Sequence, residues 1–439
     1  MRQTLVFIPH ELFGIPVFGF GWALAALLVS ALVLLVLTYR QHRSFDEFFG
    51  YTVVLAIAAA AVYAVLPSLE VKGVGPTPLG LPIRGYGVFV LLGIVSGVAL
   101  SVYRTRQIGM DPELIYSLAL WLFVFAIIGA RLFFIVQYWP SFVRPTLIET
   151  VAAMLKFTEG GLVVYGSVIG GMLALYLFSR KHLLNAFELG DVIAPGMALG
   201  VAFGRIGCLM NGCCHGGVCE PSSFAATFPQ HPYPAQVSAA LKQYSPPYGD
   251  QLAKGQLYGF RLASDPDGTP FVASVDAGSD AQKFGLRTGM LLSKINNIDV
   301  ASLADAKAIL GGAPLYIQLL TTNGDSIAWE VEGLPGRSLP THATQVYSSI
   351  NGLFMCLVVW FLYPFRRHHG EVLLALLGMY SLTRFTLEAI RTDEVGQWGT
   401  PFTISQLVSM IVLVFCVAVW SYVQRQPQLA APSHVTASS

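Results

Sequence analysis

One stretch of the chain combines an arginine with glycines, an asparagine and four cysteines. It runs from Gly204 to Cys219 and places Arg205 at the end of an apolar segment. An arginine at bilayer depth is costly unless it meets an anion or another partner, although a guanidinium at a helix end can also snorkel to the interface. Arg205 is therefore a candidate anion-binding residue, and snorkelling is the alternative.

A second constellation lies in an apolar segment near the C-terminal end. Tyr380, Arg384, Glu388 and Arg391 are spaced by four, four and three residues, which predicts one face of a helix. A polar stripe on a membrane helix must face protein or a water-filled cavity. One interpretation is an internal ladder of ion pairs that holds helices together. The other is that Arg384 joins Arg205 on one phosphate, because guanidinium groups bind phosphate oxygens in a bidentate way.

A carboxylate precedes two glycines where another apolar segment begins. Partial burial of Glu159 next to Gly160 and Gly161 would raise its pKa and suit it to act as a base, whereas an interfacial Glu159 in water would have no such role. Arg131, inside the apolar segment before it, needs a partner, for which Glu159 is a candidate.

The cysteines of the first stretch are Cys208, Cys213, Cys214 and Cys219. Disulfides persist on the outer face of a membrane, and one or two of them would pin the loop after Arg205. A zinc site that includes His215 is an alternative. However, adjacent cysteines are awkward joint ligands, and the sequence has no CxxC pair. We therefore favour disulfides and expect no metal. Thiol redox chemistry at Cys213 and Cys214 is a third hypothesis.

Composition indicates an integral membrane protein. Only 12% of the 439 residues are charged and 54% are hydrophobic, whereas a soluble protein has about 25% charged residues. The net charge of +1 gives no indication of nucleic-acid binding.

The fold class predicted from the apolar segments is an all-α polytopic membrane protein with about nine transmembrane helices. The predicted spans are 17–38, 48–66, 86–104, 116–137, 160–179, 187–207, 346–364, 371–391 and 402–423. Basic residues cluster in the loops after alternate spans, so the positive-inside rule places the N-terminus outside and the tail 424–439 in the cytoplasm. The first two spans, within 1–80, are additional to the core of 81–219 and 346–423.

Residues 220–345 differ in composition, with more polar residues and short alternating runs typical of strands. Proline-rich 220–254 is predicted to be a loop. Over 255–335 the order of motifs resembles a bacterial PDZ domain, in which Leu257, Tyr258, Gly259 and Phe260 would form the backbone nest for a peptide carboxylate. Met290 stands where an Asp usually follows the glycine, so the resemblance favours the fold over peptide binding; a domain that only caps the membrane site is the alternative.

With these residues in hand, the chain resembles the prolipoprotein diacylglyceryl transferase family over about 80–216 and 346–423. The matching motifs are Arg84-Gly85-Tyr86-Gly87, Gly129-Ala130-Arg131, Gly160-Gly161-Leu162, Gly204-Arg205-Ile206-Gly207, Asn211-Gly212, Gly216 and the stripe from Tyr380 to Arg391. The resemblance implies a multi-pass enzyme of the bacterial inner membrane, working at the outer leaflet without a cofactor. It would move a diacylglyceryl group from phosphatidylglycerol to the lipobox cysteine of a prolipoprotein.

The resemblance also implies site roles. Arg205 and Arg384 match the family's signature arginines and would neutralise the phosphate. We place Tyr380 and Glu388 with them in the catalytic group, and Glu159 is our own candidate for the base. The remaining motif residues would bind substrate; these are Arg84, Tyr86, Arg131, Gly160, Gly161, Asn211, Gly216 and Arg391. Three positions depart from the family: Glu159 replaces a usual His, Cys208 a usual Asn, and Cys213 a usual Glu. The alternative function is a non-catalytic membrane scaffold that recruits an exported client through the PDZ-like domain.

Overall fold

The computed structural model describes residues 3–40, 55, 56, 58–72, 78–155, 163–221, 225–232, 243–389 and 400–428. The chain divides into two units, and each comprises two separate stretches of sequence. Residues 1–87 and 208–343 form the first, called the strand unit because every described strand lies in it. Residues 88–207 and 344–439 form the second, called the helix unit.

Long apolar helices account for most of the helix unit. The described helices of the chain are α1 (Trp22–Arg40), α2 (Ala58–Ser68), α3 (Gly85–Gln107), α4 (Glu113–Gln137), α5 (Leu147–Leu155), α6 (Val164–Lys181), α7 (Ala186–Asn211), α8 (Pro246–Ala253), α9 (Asp280–Lys283), α10 (Leu303–Gly311), α11 (Thr344–Leu362), α12 (Glu371–Glu388) and α13 (Ile404–Val423). Within α2, residues Ala61–Val65 form a π-helical turn.

Five helices in the described part of the chain are long and apolar enough to cross a membrane. They are Gly85–Gln107, Glu113–Gln137, Ala186–Asn211, Thr344–Phe365 and Ile404–Val423. Their hydropathy confirms a helical membrane protein, because about 20 apolar residues span the hydrocarbon core. The other predicted spans overlap in part with α1, α2, α6 and α12, and their remaining residues include some outside the described part of the chain. The count of nine and the orientation stay predictions.

Glycines let the helices of this unit approach closely. A Cβ on Gly196 of α7 would lie 2.4 Å from the carbonyl oxygen of Gly97 on α3. On α6, a Cβ on Gly166 would lie 2.3 Å from the carbonyl oxygen of Gly129 on α4. Such contacts exclude any side chain, which is the usual basis of close helix packing in lipid.

Two further contacts hold α7 against the C-terminal helices. Gly352 of α11 packs on Ala202, where an added Cβ would meet Ala202 backbone atoms at 3.0 Å. The fully buried carboxylate of Asp191 accepts hydrogen bonds from the N–H groups of Gly370 (2.7 Å) and Leu373 (2.9 Å). It thereby satisfies donors at the start of α12, which have no partner within the helix. These contacts fix α7, α11 and α12 relative to one another.

The strand unit contains several small sheets. Their strands are β1 (Thr4–Pro9), β2 (Glu11–Leu12), β3 (Ile15–Pro16), β4 (Val71–Lys72), β5 (Pro78–Arg84), β6 (Ala225–Ala226), β7 (Phe260–Ser264), β8 (Pro270–Val275), β9 (Leu292–Ile295), β10 (Ile298–Asp299), β11 (Tyr316–Thr321), β12 (Ser326–Glu330) and β13 (Thr341–His342). The order β1-β5-β4 forms an antiparallel sheet, in which Ile8 pairs with Leu81. The stretch 1–80 therefore holds strands as well as the two predicted helices.

β2 pairs with β3 in a separate two-stranded sheet. The strands from β6 onward belong to the inserted module. Its sheets have the orders β7-β8 and β10-β9-β11-β12, while β6 pairs with β13. The module has its own core, which includes Phe260, Ile295 and Ile317, and also Tyr248 and Leu252 of α8. The predicted loop 220–254 is therefore wrong at its C-terminal end: Pro246–Ala253 is a helix because it buries two large side chains in this core.

Candidate active site

A narrow cavity in the helix unit brings together the arginines that the sequence singled out. Arg205 of α7 lines it with Tyr380 and Arg384 of α12. The other lining residues are Val201, Ser348, Asn351, Met355, Thr383 and Leu387. We call this space the arginine cavity. Its volume of about 10 Å³ is room for roughly one water molecule, so a phosphate can enter only if side chains or helices move apart.

Arg384 is positioned by partners on two helices. Its Nη1 lies 2.8 Å from Oε2 of Glu388, whose side chain is fully buried. Its Nη2 donates to the hydroxyl of Ser405 at 2.9 Å. The spacing of four residues on α12 produces the ion pair, so the predicted ladder exists between Arg384 and Glu388. The same guanidinium also reaches the cavity, and the two interpretations of the stripe are therefore compatible.

Arg205 is held at the cavity by the packing of its own helix. One turn before it, the carbonyl of Ala202 accepts a hydrogen bond from the Ser349 hydroxyl at 3.0 Å. Arg205 is half-buried. Two guanidinium groups that face one narrow space suit an anion with several oxygens, because charge-assisted hydrogen bonds strengthen where water is scarce.

Sequence reasoning missed the polar residues around the arginines. Asn351 donates to the Thr383 hydroxyl at 2.9 Å, and both line the cavity. Asn351 sits in the middle of the apolar α11, where a polar side chain is itself a signal. Ser405 follows Thr403, whose side chain forms a capping box with Gln406 at the start of α13. That pattern of Thr followed by Gln three residues later was readable.

Arg131 has a different environment. It is 5% exposed, its Nε donates to the carbonyl of Met154 at 2.9 Å, and its Nη2 donates to that of Ala153 at 3.3 Å. The guanidinium carbon also lies 5.5 Å from the Phe142 ring centroid. Met154 and Ala153 are in the last turn of α5, whose carbonyls lack partners within the helix. Arg131 therefore holds α5 against α4.

Some predicted site residues lie outside the described part of the chain. They are Glu159, Gly160, Gly161 and Arg391. The roles proposed for them, including Glu159 as a base and as a partner of Arg131, stay predictions.

The strand unit places another group of predicted substrate-binding residues together. β5 ends at Arg84, and α3 begins at Gly85, whose N–H donates to the carbonyl of Gln3 at 2.8 Å. The Gln3 side chain in turn donates to the carbonyl of Asn211. Tyr86 is 44% exposed. Gln3 thus links the start of α3 to the end of α7.

Gly216 lies in the loop after α7 and donates its N–H to the carbonyl of His342 at 2.9 Å. This hydrogen bond connects the loop to the segment that precedes α11. The role of Gly216 visible in the structure is thus a backbone one.

The cysteines of this loop are thiols in the structure, and none of Cys208, Cys213, Cys214 and Cys219 forms a disulfide. The predicted disulfides are therefore not present. Instead, the sulfur atoms of Cys208, Cys213 and Cys214 all lie within 4.8 Å of one another, and Cys219 is outside this group.

In the loop predicted to bind a peptide carboxylate, the backbone N–H groups already donate hydrogen bonds to carbonyls of the same loop. Residues Gln256–Tyr258 form a 3-10 turn, and the N–H groups of Tyr258 and Phe260 donate to the carbonyl of Gly255, at 2.9 and 3.3 Å. The N–H of Gly259 donates to the carbonyl of Gln256 at 3.3 Å. A carboxylate nest needs these N–H groups unoccupied.

Side chains of the same region are committed to the module core. The hydroxyl of Tyr258 donates to the carbonyl of Leu310 at 3.1 Å, and burial raises the pKa of this phenol. Burial likewise raises the pKa of Tyr248 to about 12. A cavity of about 290 Å³ lies beside Leu257, with Asp280 and Glu332 among its lining residues.

Comparison with known proteins shows the family of this chain. Residues 77–422 match the family model of prolipoprotein diacylglyceryl transferases. A phosphatidylglycerol–prolipoprotein diacylglyceryl transferase of Rhodopirellula baltica is 33% identical over 460 residues, which cover 94% of this chain and 87% of that protein. The chain belongs to the prolipoprotein diacylglyceryl transferase family. It is a transferase-family membrane protein, and the resemblance stated from its motifs is confirmed.

Other relatives match only part of this transferase-family chain. A diacylglyceryl transferase of Clostridium perfringens is 31% identical over 173 residues, or 38% of this chain and 66% of that protein. One from Deinococcus radiodurans is 34% identical over 130 residues, or 30% of this chain and 38% of that protein. The Rhodopirellula baltica protein, by contrast, is matched across nearly the whole chain, so its similarity extends beyond what these shorter matches cover.

Proposed function

We propose that this protein transfers a diacylglyceryl group from phosphatidylglycerol to the lipobox cysteine of a prolipoprotein. The observation that carries the proposal is the arginine cavity, in which Arg205 and Arg384 converge beside Tyr380 in a member of a family with this activity. Nothing in the site favours the scaffold alternative.

The reaction is a displacement at a glycerol carbon. The peptide thiolate forms the C–S bond while the C–O bond to the phosphate breaks, and glycerol phosphate leaves with that electron pair. The thiol proton passes to a base, for which Glu159 is our candidate. Arg205 and Arg384 offset the charge that develops on the leaving phosphate, and Tyr380 donates a hydrogen bond to the head group. Catalysis is thus mostly positioning and electrostatic stabilisation.

The remaining assignments support this activity at the membrane. We assign Arg84, Tyr86, Asn211 and Gly216 to the substrate-binding region of the strand unit, with the acceptor peptide as partner. The protein is a multi-pass protein of the bacterial inner membrane, with the N-terminus outside and the tail in the cytoplasm. The inserted module lies on the extracytoplasmic side.

The PDZ-like assignment of 255–335 is supported by the succession of strands β7 to β12 with two helices between them. Peptide capture by Leu257–Phe260 has less support, because the N–H groups of Tyr258, Gly259 and Phe260 all donate within the chain. The module then serves as a cap or a contact surface in its present conformation.

The activity is tested with the full-length protein in vesicles of phosphatidylglycerol and a synthetic lipobox peptide. Mass spectrometry should detect a diacylglyceryl thioether on the peptide cysteine. Arg205→Ala should lower turnover by at least about 100-fold, the scale of losing one charge-stabilising donor. Arg425→Ala, at an exposed arginine after α13, is the matched control and should behave as wild type. Absence of product, or normal turnover in Arg205→Ala, contradicts the proposal.

The module is tested by excision at ends that the structure brings together. The N–H of Ser245 donates to the carbonyl of Gln230, and the N–H of Gln230 donates to the carbonyl of Gly336. A short Gly-Ser linker can therefore replace 246–335, including α8, whose buried side chains would otherwise be exposed. The excised protein should still modify the peptide in vesicles if the catalytic machinery lies outside the module.

A further inference from the structure

The end of α7 folds back so that three thiols face one another. Cys208 lies in the last turn of α7. The N–H of Cys213 donates to the carbonyl of Cys208 at 3.2 Å. Gly212 and Cys214 have positive φ angles of +75° and +59°. Only glycine adopts this backbone region without steric cost, so Cys214 is held there by its surroundings. The reversal brings Cys213 and Cys214 beside Cys208.

Close packing and backbone hydrogen bonds hold this loop. A Cβ on Gly212 would lie 3.0 Å from Pro247 and 3.4 Å from Phe228, a buried side chain. Beyond the thiols, Cys219 donates its N–H to the carbonyl of Pro340 at 2.9 Å, and His342 donates to that of Gly217 at 3.0 Å. The loop is thus fixed on both sides of the cysteines, which limits how far the sulfur atoms can separate.

The geometry of the thiols matches a metal site. The sulfur atoms of Cys208, Cys213 and Cys214, which we call the cysteine trio, all lie within 4.8 Å of one another and each residue is half-buried. Thiolates bind zinc tetrahedrally at about 2.3 Å, which places sulfur atoms about 3.8 Å apart. Small side-chain rotations bring the trio to that spacing. A disulfide between any two would leave the third thiol unused.

Neither His215 nor Cys219 supplies a fourth ligand atom to the cysteine trio. His215 points its Nδ1 at the carbonyl oxygen of Gly216, 3.0 Å away. Among the described residues, the group contains no fourth Cys, His, Asp or Glu. A zinc site with three protein ligands and an open fourth position is the arrangement that exchanges water for substrate.

We propose that the cysteine trio binds a soft divalent ion of the zinc class, and that the open position takes the thiol of the acceptor peptide. Binding of the ion releases three thiol protons to solvent. The peptide thiol then displaces a bound water, binds as the thiolate and releases one more proton. A coordinating thiol is deprotonated outright. Where the usual His is absent, the ion would thus form the thiolate in place of a side-chain base such as Glu159. This second step rests on the proposed function.

Cobalt(II) is a direct probe of the trio, because thiolate-to-cobalt charge transfer gives a characteristic absorption. The reduced, metal-depleted full-length protein in detergent should bind one equivalent. Cys208→Ser and Cys213→Ser should weaken binding by more than the roughly 10–100-fold that loss of an outer partner costs. Cys219→Ser, a cysteine of the same loop outside the trio, should bind as wild type. Cys208→His should retain a weaker band, which guards against a Ser variant that fails to fold.

Two results overturn the metal site. One is the absence of the charge-transfer band in wild-type protein whose thiols still react with a thiol reagent. The other is a disulfide within the trio, detected by mass spectrometry in protein purified without reductant.

The peptide step has its own readout. A lipobox peptide should strengthen the charge-transfer band of the cobalt-loaded protein, and the same peptide with Ser in place of Cys should not. Identical spectra with both peptides overturn this step. Product formed by metal-depleted protein also overturns it while leaving the proposed function intact. Cobalt binding without product in any metal state contradicts the proposed function instead.

Discussion

Two regions of the helix unit hold an arginine in different ways. Arg384 faces the arginine cavity and has a carboxylate, Glu388, and a hydroxyl, Ser405, as partners. Arg131 donates to the carbonyls of Met154 and Ala153. A guanidinium that donates its hydrogen bonds to backbone carbonyls of another helix holds the two helices together. One that borders a cavity next to a second arginine can take up an anion. The identity of the partners separates the two roles.

Removing Arg384 should have the largest effect. Arg384→Gln should lower turnover by at least about 100-fold, and it should also lower stability, because Glu388 loses its ion-pair partner in a buried site. The double variant Arg384→Gln/Glu388→Gln should recover the thermal midpoint and not the turnover. Recovery of both would show that the arginine acts only as a structural cation.

Removing Arg131 should lower stability more than it lowers turnover. Arg131→Gln loses charged hydrogen bonds to two carbonyls, each worth about 1.5–3 kcal/mol. The thermal midpoint in detergent should therefore fall well below that of wild type. Turnover measured below the transition should stay within severalfold of wild type. A loss of turnover as large as that of Arg205→Ala, in protein that remains folded, would move Arg131 to the substrate site.

Glycine variants beside Arg131 and beside Arg205, the second arginine of the cavity, should sharpen the contrast between the two regions. Gly166→Ala places a Cβ 2.3 Å from the carbonyl oxygen of Gly129, and overpacking of this kind costs about 1–3 kcal/mol. Gly204, adjacent to Arg205, has open space around an added Cβ. Gly204→Ala should leave the thermal midpoint unchanged or slightly raised. Equal destabilisation by both would mean that the surroundings of Arg205 are as closely packed as those of Arg131.

The smallest effect is expected at Asn351. Asn351→Ala removes its hydrogen bond to Thr383 at the cavity wall, worth about 0.5–1.5 kcal/mol. We expect a severalfold loss of kcat/KM and a small change in stability. Ser349→Ala, on the same helix, removes the hydrogen bond to Ala202 and should change stability without changing kcat/KM. Matching losses of kcat/KM would show that both act by holding α11.

Much of this protein was readable from local pattern. The positions of the apolar helices follow from composition over about 20 residues, and the pairing of Arg384 with Glu388 follows from helical spacing. The predicted helix 402–423 and the observed Ile404–Val423 differ by two residues at most. The helix Pro246–Ala253 was missed because its prolines suggested a loop, whereas Pro at the first helical positions is well tolerated.

Only the tertiary structure decided which residues distant in sequence contact one another. The sequence marked Arg131 as costly and in need of a partner, and the fold supplied the end of α5. It marked four cysteines, and the backbone reversal at Gly212 and Cys214 selected three of them. Helical periodicity is set by hydrogen bonds within a few residues, so sequence reports it directly. Convergence of side chains depends on how separate segments pack, and local pattern carries no record of that.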